Sequence, residues 1–462
     1  AFQRRGMELF AGFVEHTDVQ VGQLVEGLEE RGLRENTLIF YIFGDNGSSA
    51  EGQRGSISEL LAQNNIPNTV EQQLTALERI GGLEVLGSPK TDNMYHAGWA
   101  WAGSTPFRST KLVAAHFGGT RNPLVVSWPA RIKPDKNLRN QFHHVVDVAP
   151  TIYEILDIPH PQVVNGHRQL PMDGTSMAYT FEDENAATEK KIQFFDNNGS
   201  RAIYQEGWLA CAFGPFIPWN TPASIPRVAQ WDSATDDWEL YKLGIDFSQA
   251  ENLAAMHPEK LAQMKAEFLK LAEDNKAFPI GAGNWLRLHP EDRIKTPYTQ
   301  WTFSQSSRRM PEFAAPGVGR ESTFVTAEIE IGEQASGVIY AVGGAGGGLS
   351  VYLDRGHLVY EYNMMIIETY RGQSPAPLAA GEHTIEVRTD IQGPGKAGSA
   401  TVGIDGKESF KVDLDRTVPA AFSATESFDV GIDLGSTVSL QYYDRRPFAL
   451  EGKIDKVYVE LK

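Results

Sequence analysis

The sequence predicts an α/β fold followed by a β-rich C-terminal region, and three patterns lead to this class. An apolar stripe at helical spacing, which includes Phe10 and Leu24, ends at Gly32. Residues 37–43 then form a run of β-branched, aromatic and leucine residues, which is typical of a strand buried on both faces of a parallel sheet. From about residue 320 apolar and polar residues alternate, and this period of two indicates antiparallel strands.

Composition and charge exclude several classes of protein. A chain of 462 residues is long enough for two or three domains, and 41% hydrophobic with 22% charged residues is usual for a globular protein. The net charge of −17 argues against nucleic acid or an anionic membrane as a general partner. No stretch approaches the ~18 apolar residues of a membrane span. The single cysteine, Cys211, excludes an internal disulfide, which fits a cytoplasm without excluding a periplasm.

The α/β region extends to residue 276 in our interpretation. Residues 48–105 are polar and irregular and predict a long insertion over the active face of the sheet. Residues 123–129 predict a second buried strand, and residues 150–157 a helix with Pro150 in its first turn. The apolar pattern of residues 191–213 and 238–243 predicts a small antiparallel sheet.

The C-terminal third has a different character. Residues 277–316 are rich in Pro, Gly and polar residues without a clear period, and we expect a surface linker. Residues 317–462 contain many short alternating segments with hairpin signals such as Asp354-Arg-Gly, which predict a β-sandwich. The glycine run 343–348 has neither a lysine nor a helix after it, so it predicts a loop between strands and not a phosphate-binding loop.

An acid and an amide stand where the strand at 37–43 should end, in Gly44-Asp45-Asn46-Gly47. Ligands bind at the carboxyl ends of strands in open α/β sheets, and the oxygens of Asp45 and Asn46 suit Ca²⁺ or Mg²⁺. The alternative is an ordinary Asp-Asn-Gly turn without a ligand.

Several further motifs follow in a set order over roughly the first 255 residues. They are Thr105-Pro-Phe-Arg-Ser-Thr-Lys111, Gly118-Gly-Thr-Arg-Asn122, Ser127-Trp-Pro129, Gln141-Phe-His-His144, Asp147-Val-Ala-Pro-Thr151 and Glu239-Leu-Tyr-Lys-Leu243. Together with Gly-Asp-Asn-Gly, this set resembles the type I sulfatases of the alkaline phosphatase superfamily, and above all the large bacterial arylsulfatases. The resemblance implies a sulfatase-like mixed sheet flanked by helices, a small antiparallel sheet, and hydrolysis of small-molecule or glycan sulfate esters.

The resemblance also implies roles for individual residues. Asp45 and Asn46 would bind one divalent cation, Ca²⁺, and Asp45 would in addition act catalytically by accepting a proton from a formylglycine nucleophile. Lys111 would be catalytic through its contact with a sulfate oxygen, where a point charge on a long stem stabilises negative charge. The alternative for Lys111 is a solvated surface charge.

No residue of the chain matches the formylglycine position. Ser104-Thr-Pro-Phe-Arg108 fits Ser-x-Pro-x-Arg, but the family carries that motif before the Asp-Asn-Gly strand and usually has a small residue where Phe107 stands. We therefore expect the nucleophile and further metal ligands in an N-terminal part of the same protein that this chain lacks, and we expect the 462 residues alone to be inactive. A bacterial periplasm or secretion is slightly favoured over the cytoplasm.

The remaining candidates stay open. His96 and His116 either face the substrate or have packing and capping roles, whereas His143-His144 are interpreted as structural and Asp147 as a helix cap. Cys211 is interpreted as a small buried hydrophobic residue. Two other functions remain: a phosphonate or phosphate ester hydrolase on the same scaffold, and a non-catalytic module whose β-sandwich binds glycans. An Asp-Asn pair in place of Asp-His argues against a two-zinc phosphatase.

Overall fold

A computed structural model describes residues 1–44, 47–134, 137–284 and 297–462. The described chain forms two compact units. The first comprises Ala1–Gly12, Glu51–Trp99 and the described residues of 293–462, and the second the described residues of 13–50 and 100–292. None of the helices in the described ranges combines the length and apolar character needed to cross a bilayer.

Helices occur mainly in the second unit and at the unit boundaries. The α-helices are α1 (Phe2–Glu30), α2 (Val70–Ile80), α3 (Ala97–Ser104), α4 (Val148–Ile155), α5 (Thr221–Ala229) and α6 (Pro258–Asp274). The strands up to residue 242 are β1 (Ile39–Ile42), β2 (Leu124–Ser127), β3 (Val163–Val164), β4 (His167–Arg168), β5 (Ile192–Asn197), β6 (Ser200–Gln205), β7 (Trp208–Ala212) and β8 (Glu239–Lys242).

The first unit is dominated by antiparallel strands. They are β9 (Gln300–Phe303), β10 (Met310–Pro311), β11 (Thr323–Ile331), β12 (Gly337–Gly344), β13 (Gly347–Asp354), β14 (His357–Met364), β15 (Glu368–Gln373), β16 (Gly381–Ile391), β17 (Gly398–Ile404), β18 (Lys407–Leu414), β19 (Ser427–Val430) and β20 (Gly452–Leu461). They form two six-stranded sheets, ordered β10-β19-β12-β13-β14-β15 and β18-β17-β16-β11-β20-β9.

The predicted C-terminal β-sandwich is confirmed by a core shared between these two sheets. Val325 and Ala327 of β11 and Val351 of β13 are buried in the same hydrophobic cluster. In β11 buried and partly exposed residues alternate, because successive side chains of a strand point to opposite faces. The Asp354-Arg-Gly signal is a hairpin between β13 and β14, as predicted.

Two segments differ from the sequence interpretation. The expected linker 277–316 contains β9 and β10, which pair with β20 and β19 at the edges of the two sheets. The described residues of β9 and β10 are therefore part of the sheets, and Phe303 of β9 is buried in the core. A surface linker would have neither property. Residues 51–99 of the expected insertion belong to the first unit and add Ile57 to its core. The domain boundaries at 276 and 316 stay a prediction.

The small antiparallel sheet of the second unit is confirmed, with the order β5-β6-β7-β8. On one face Ile203 packs with Met264 and Phe268 of α6. On the other face Ala202, Cys211 and their neighbours pack against the segment around Val113 and Phe117. This second contact holds the segment that follows Lys111 against the sheet.

The prediction for the strand at 37–43 was wrong in its pairing and burial. Within the described ranges, β1 and β2 pair with each other, antiparallel, and with no other strand. Apolar side chains of this sheet are therefore exposed, in contrast to those of a strand that is buried on both faces: Ile42 is 39% exposed and Val125 is 57% exposed. The predicted burial of the strand at 123–129 fails for the same reason.

Candidate active site

The predicted metal ligands Asp45 and Asn46 lie outside the described residues. The glycines on either side are described, and both have left-handed backbones, with φ of +79° at Gly44 and +80° at Gly47. A Cβ on Gly47 would lie 1.9 Å from the carbonyl oxygen of Gly118, so the motif needs glycine here for conformation and for space. The Gly47 N–H donates to Oδ1 of Asn122 at 3.2 Å.

Lys111 is half-buried, and its backbone is linked to the same region. Its N–H donates to the carbonyl oxygen of Ser48 at 3.0 Å, and Ser48 follows Asn46 by two residues. The structure therefore joins the Lys111 backbone to the residue that directly follows Gly44-Asp45-Asn46-Gly47. The catalytic role of Lys111 stays a prediction.

The glycine pair of the third motif supports the segment before Lys111. The Gly118 N–H donates to the carbonyl oxygen of Arg108 at 2.9 Å, and a Cβ on Gly118 would lie 2.1 Å from the carbonyl oxygen of Ser109. Two backbones can approach this closely only where a side chain is absent.

The backbone around Lys111 is strained on both sides. Ser109 has a φ of +64° and Leu112 of +77°, and a non-glycine residue in this region costs of order 1–3 kcal/mol. Between them Thr110 is completely buried, and its hydroxyl has no hydrogen-bond partner among the residues that the structure describes. Such strain persists only where surrounding contacts hold the conformation.

A buried polar network provides those contacts. Nδ1 of His116 lies 2.8 Å from Oγ of Ser109, and its Nε2 lies 2.9 Å from Oε2 of Glu239. The guanidinium of Arg108 lies 3.4 Å from both carboxylate oxygens of Glu239, and the hydroxyl of Tyr241 donates to Oε2 at 3.0 Å. Burial of Glu239 disfavours its charge, but His116 and then Arg108 outweigh burial and lower its pKa to about 2.

Sequence reasoning missed most of this network. Arg108, Ser109 and Glu239 are members of the quoted motifs, and the opposite charges in the two motifs were the available signal. His116, left open between substrate contact and packing, is buried with both ring nitrogens in hydrogen-bond contact. His96 has a local role, because its Nδ1 accepts from the N–H of Gly98 at 2.9 Å.

One group of potential metal ligands occurs among the described residues, namely His116, Cys211 and Glu239, whose ligand atoms lie within 4.8 Å of one another. The group does not fit a cation well. Burial raises the pKa of the Cys211 thiol well above its usual value, and Glu239 already pairs with Arg108. We interpret it as part of the hydrogen-bond network. Cys211 is fully buried, as predicted.

The Asp147 region corrects a further prediction. Asp147 does not cap α4 with its side chain; its Oδ2 accepts from the N–H of His144 at 2.8 Å and its Oδ1 from the N–H of Thr175 at 2.9 Å. The bond to His144 belongs to a capping box on the 3-10 turn Val145–Asp147, which directly precedes α4, and the same carboxylate ties this turn to Thr175. Burial lowers the pKa of His143 and of His144, so both imidazoles are neutral at pH 7.

Comparisons with known proteins agree with the motifs. Residues 2–158 match the family model described as Sulfatase. An uncharacterised sulfatase of Schizosaccharomyces pombe is 27% identical over 269 residues, which cover 57% of this chain and 42% of that protein. An arylsulfatase of Klebsiella aerogenes is 24% identical over 172 residues, which cover 37% of this chain and 34% of that protein.

A similar solved structure comes from work on the metabolism of multiple glycosaminoglycans by Bacteroides thetaiotaomicron. Its sequence is 20% identical and its TM-score is 0.36, over 55% of this chain and 42% of that chain. The chain spans less than half the length of the curated relatives that it matches. Since one relative is from fission yeast, bacterial origin stays a prediction. Residues 2–158 are therefore the sulfatase-like part of the chain, and membership of the whole chain in the type I sulfatases stays a prediction.

Proposed function

We propose that the protein of which this chain is a part hydrolyses sulfate esters. The observation that carries the proposal is the contact between two motifs of a sulfatase-family region, in which the Lys111 N–H donates to the Ser48 carbonyl at 3.0 Å. The Lys111 backbone thus bonds to a residue two positions after an Asp-Asn pair, and a lysine beside a cation site is suited to an anionic group such as the sulfate of an ester. Substrate identity among aryl and glycan sulfates stays open.

Each site residue has a distinct task in this proposal. The Lys111 ammonium meets the sulfate oxygens and stabilises negative charge as the ester bond breaks. Asp45 and Asn46 hold a divalent cation, for which their carboxylate and amide oxygens are suitable ligands. When bound, that cation neutralises the sulfate oxygens and so permits attack by a nucleophile. Asp45 also accepts a proton from the nucleophile.

We propose Ca²⁺ as the cation, because one carboxylate and one amide leave room for further oxygen ligands at a hard ion. Metal analysis of the purified full-length protein tests this choice. One equivalent of calcium, with loss of turnover on chelation and recovery on addition of Ca²⁺, supports it. Stoichiometric zinc would contradict it and would favour phosphate ester chemistry.

The exposed apolar side chains of β1, β2 and the adjoining residue Phe43 support a formylglycine nucleophile supplied by a further α/β segment of the same protein. Val125 and Phe43 are exposed on one side of this sheet and Ile42 on the other, and an isolated two-stranded sheet is marginally stable in water. Exposed apolar patches of this kind mark surfaces that another chain segment or partner covers. A segment that adds strands to this sheet and helices to its faces would bury these side chains and bring a nucleophile to the strand ends.

The test compares two proteins made from the same gene. The 462 residues alone and the product of the complete reading frame are assayed with p-nitrophenyl sulfate, p-nitrophenyl phosphate and a phenyl phosphonate ester. We expect turnover only by the longer protein, with the sulfate as the preferred substrate. Turnover by the 462 residues alone would contradict the proposal and would bring Ser104 back as a nucleophile. A preference for phosphate or phosphonate would select the alternative hydrolase.

A further inference from the structure

The loop that carries Lys111 has a conformation that its own residues do not favour. Ser109 and Leu112 have left-handed backbones, and Thr110 buries a hydroxyl that makes no hydrogen bond to any described part of the chain. A conformation of this kind is kept only where other parts of the fold over-determine it. The position of Lys111 therefore depends on what holds the residues directly before it.

His116 provides one link from this loop to the small antiparallel sheet. The imidazole is 3% exposed and bridges Oγ of Ser109 at 2.8 Å to Oε2 of Glu239 at 2.9 Å. Glu239 is the first residue of β8, and its backbone is paired with Cys211 of β7. The imidazole ring thus fixes Ser109 of the strained loop relative to Glu239, whose position is set by strand pairing.

Arg108 provides a second link to the same carboxylate. Its two terminal nitrogens lie 3.4 Å from the two oxygens of Glu239, and Nη1 also donates to the carbonyl oxygen of Gln249 at 3.3 Å. Two consecutive residues of the loop, Arg108 and Ser109, are therefore tied to one acid. A point charge such as a lysine ammonium stabilises a reacting anion only when it is held in place beforehand.

We propose that His116 and Glu239 are positioning residues that hold Ser109 in its left-handed conformation and thereby direct Lys111 at the sulfate group. The inference rests on the proposed function, because it takes Lys111 as the sulfate-binding residue. Neither residue contacts the substrate in this view. Both act through the loop.

The order Ser109, His116, Glu239 also has the composition of a serine hydrolase triad. Two observations argue against a nucleophilic role. Ser109 is 2% exposed, so a substrate has no access to its Oγ. The Glu239 carboxylate also accepts hydrogen bonds from Arg108 and Tyr241. In a catalytic triad the main role of the acid is to orient the histidine and to stabilise its protonated form.

Two substitutions divide the bridge in the full-length enzyme. In His116→Asn, the side-chain amide nitrogen takes the position of Nδ1 and keeps the contact with Ser109. In His116→Gln, the amide nitrogen takes the position of Nε2 and keeps the contact with Glu239. Both interrupt the link through His116 from β8 to Ser109, while the Arg108 link to Glu239 is unchanged. We expect each to lower kcat for p-nitrophenyl sulfate by at least about tenfold, since misplacing a preorganised charge has effects of this size or larger.

A double-mutant cycle separates positioning from general structure. If His116 acts through Lys111, then His116→Asn changes the residual rate of a Lys111→Ala enzyme by less than about twofold, because residues that act as one unit are not additive. Equal fold losses in both backgrounds would overturn the proposal. Ile203→Val, a buried change on β6, is the control that lowers stability without touching the loop, and it should leave kcat unchanged.

Amide hydrogen exchange gives a readout that does not need activity. In His116→Asn, exchange of the peptide covering residues 105–112 should accelerate by at least about tenfold, while the peptide covering 200–205 keeps its protection. Unchanged exchange at 105–112 would overturn the inference. If the His116 variants do not fold, Ser109→Ala makes the same test from the other end of the hydrogen bond.

Full turnover by Lys111→Ala would instead refute the sulfate-binding role of Lys111, and the exchange result would still decide whether His116 orders the loop.

Discussion

Lys190 and Asp147 form a buried ion pair, with Nζ 2.7 Å from Oδ1 and side chains that are 2% and 0% exposed. The same carboxylate accepts the backbone N–H groups of His144 and Thr175. These additional bonds compensate for the removal of Asp147 from water, which the Coulomb attraction to Lys190 alone offsets only in part. The pair therefore holds three chain segments together.

Removal of the lysine should be costly, because it leaves Asp147 charged, buried and without its cation. We expect Lys190→Met to lower the free energy of unfolding by about 3–5 kcal/mol. The exposed neighbour Lys191 is the control, and Lys191→Met should change it by less than about 0.5 kcal/mol. Urea denaturation of the full-length variants measures both values. A loss below about 1 kcal/mol for Lys190→Met would show that water or another group neutralises Asp147.

Lys111→Ala should damage turnover of a sulfate ester while the melting temperature stays close to that of the parent protein. The reason is that the proposed role of Lys111 is to meet charge on the substrate. Lys111→Arg should restore activity only in part, because a planar guanidinium cannot replace a point charge without moving other groups. Steady-state kinetics beside a melting curve check both variants. Near-parental turnover by Lys111→Ala would return this residue to the class of solvated surface lysines.

Asp45→Ala in the full-length enzyme should remove a charged ligand of the cation and the proton acceptor of the nucleophile together. We expect turnover to fall by roughly 10³-fold or more, as for other preorganised electrostatic groups. Calcium content measured on the same preparation should fall as well. Asn46→Ala removes a neutral ligand and should have the smaller effect on rate. Unchanged metal content and activity in Asp45→Ala would favour the plain turn.

Asp433 of the β-sandwich unit should make stability depend on pH. Burial raises its pKa from 3.8 to about 7, although the Tyr442 hydroxyl and the Val438 N–H act in the opposite direction. Because the folded-state pKa lies above the unfolded value, this contribution is complete below about pH 4 and is lost as the pH rises through about 7. The contribution of Asp433 to the unfolding free energy should therefore decline over this range.

The matched variant for this prediction is Asp433→Asn, which keeps a hydrogen-bond acceptor and removes the titration. Its stability should decline less between pH 4 and pH 7 than that of the parent protein, in urea melts at fixed ionic strength. The decline should not vanish, since burial also raises the pKa of Asp92, to about 6. An identical decline in parent and variant would mean that Asp433 does not titrate in this range.

The order of the motifs in the sequence predicts a sulfatase-like region, and residues 2–158 match the family model described as Sulfatase. Gly44-Asp45-Asn46-Gly47 and Lys111 were selected because few chemistries need those residue types in that order. The alternation beyond residue 320 likewise determined that the C-terminal region would be antiparallel sheet, because the side-chain period of a strand is a local property of the backbone. The same is true of the small sheet around β6 and β7.

Pairing and burial were decided by tertiary structure alone. The apolar run at 37–43 indicated a strand but not its partner. β1 pairs antiparallel with β2, and the alternation of residues along one strand carries no information about which strand lies beside it or in which direction. The role of His116 depended on Glu239, which lies 123 residues further along the chain. Local patterns report the conformation of a segment and the face that it buries. Which distant segment meets that face depends on the packing of the whole unit, and that packing placed one acid of β8 beneath the loop of Lys111.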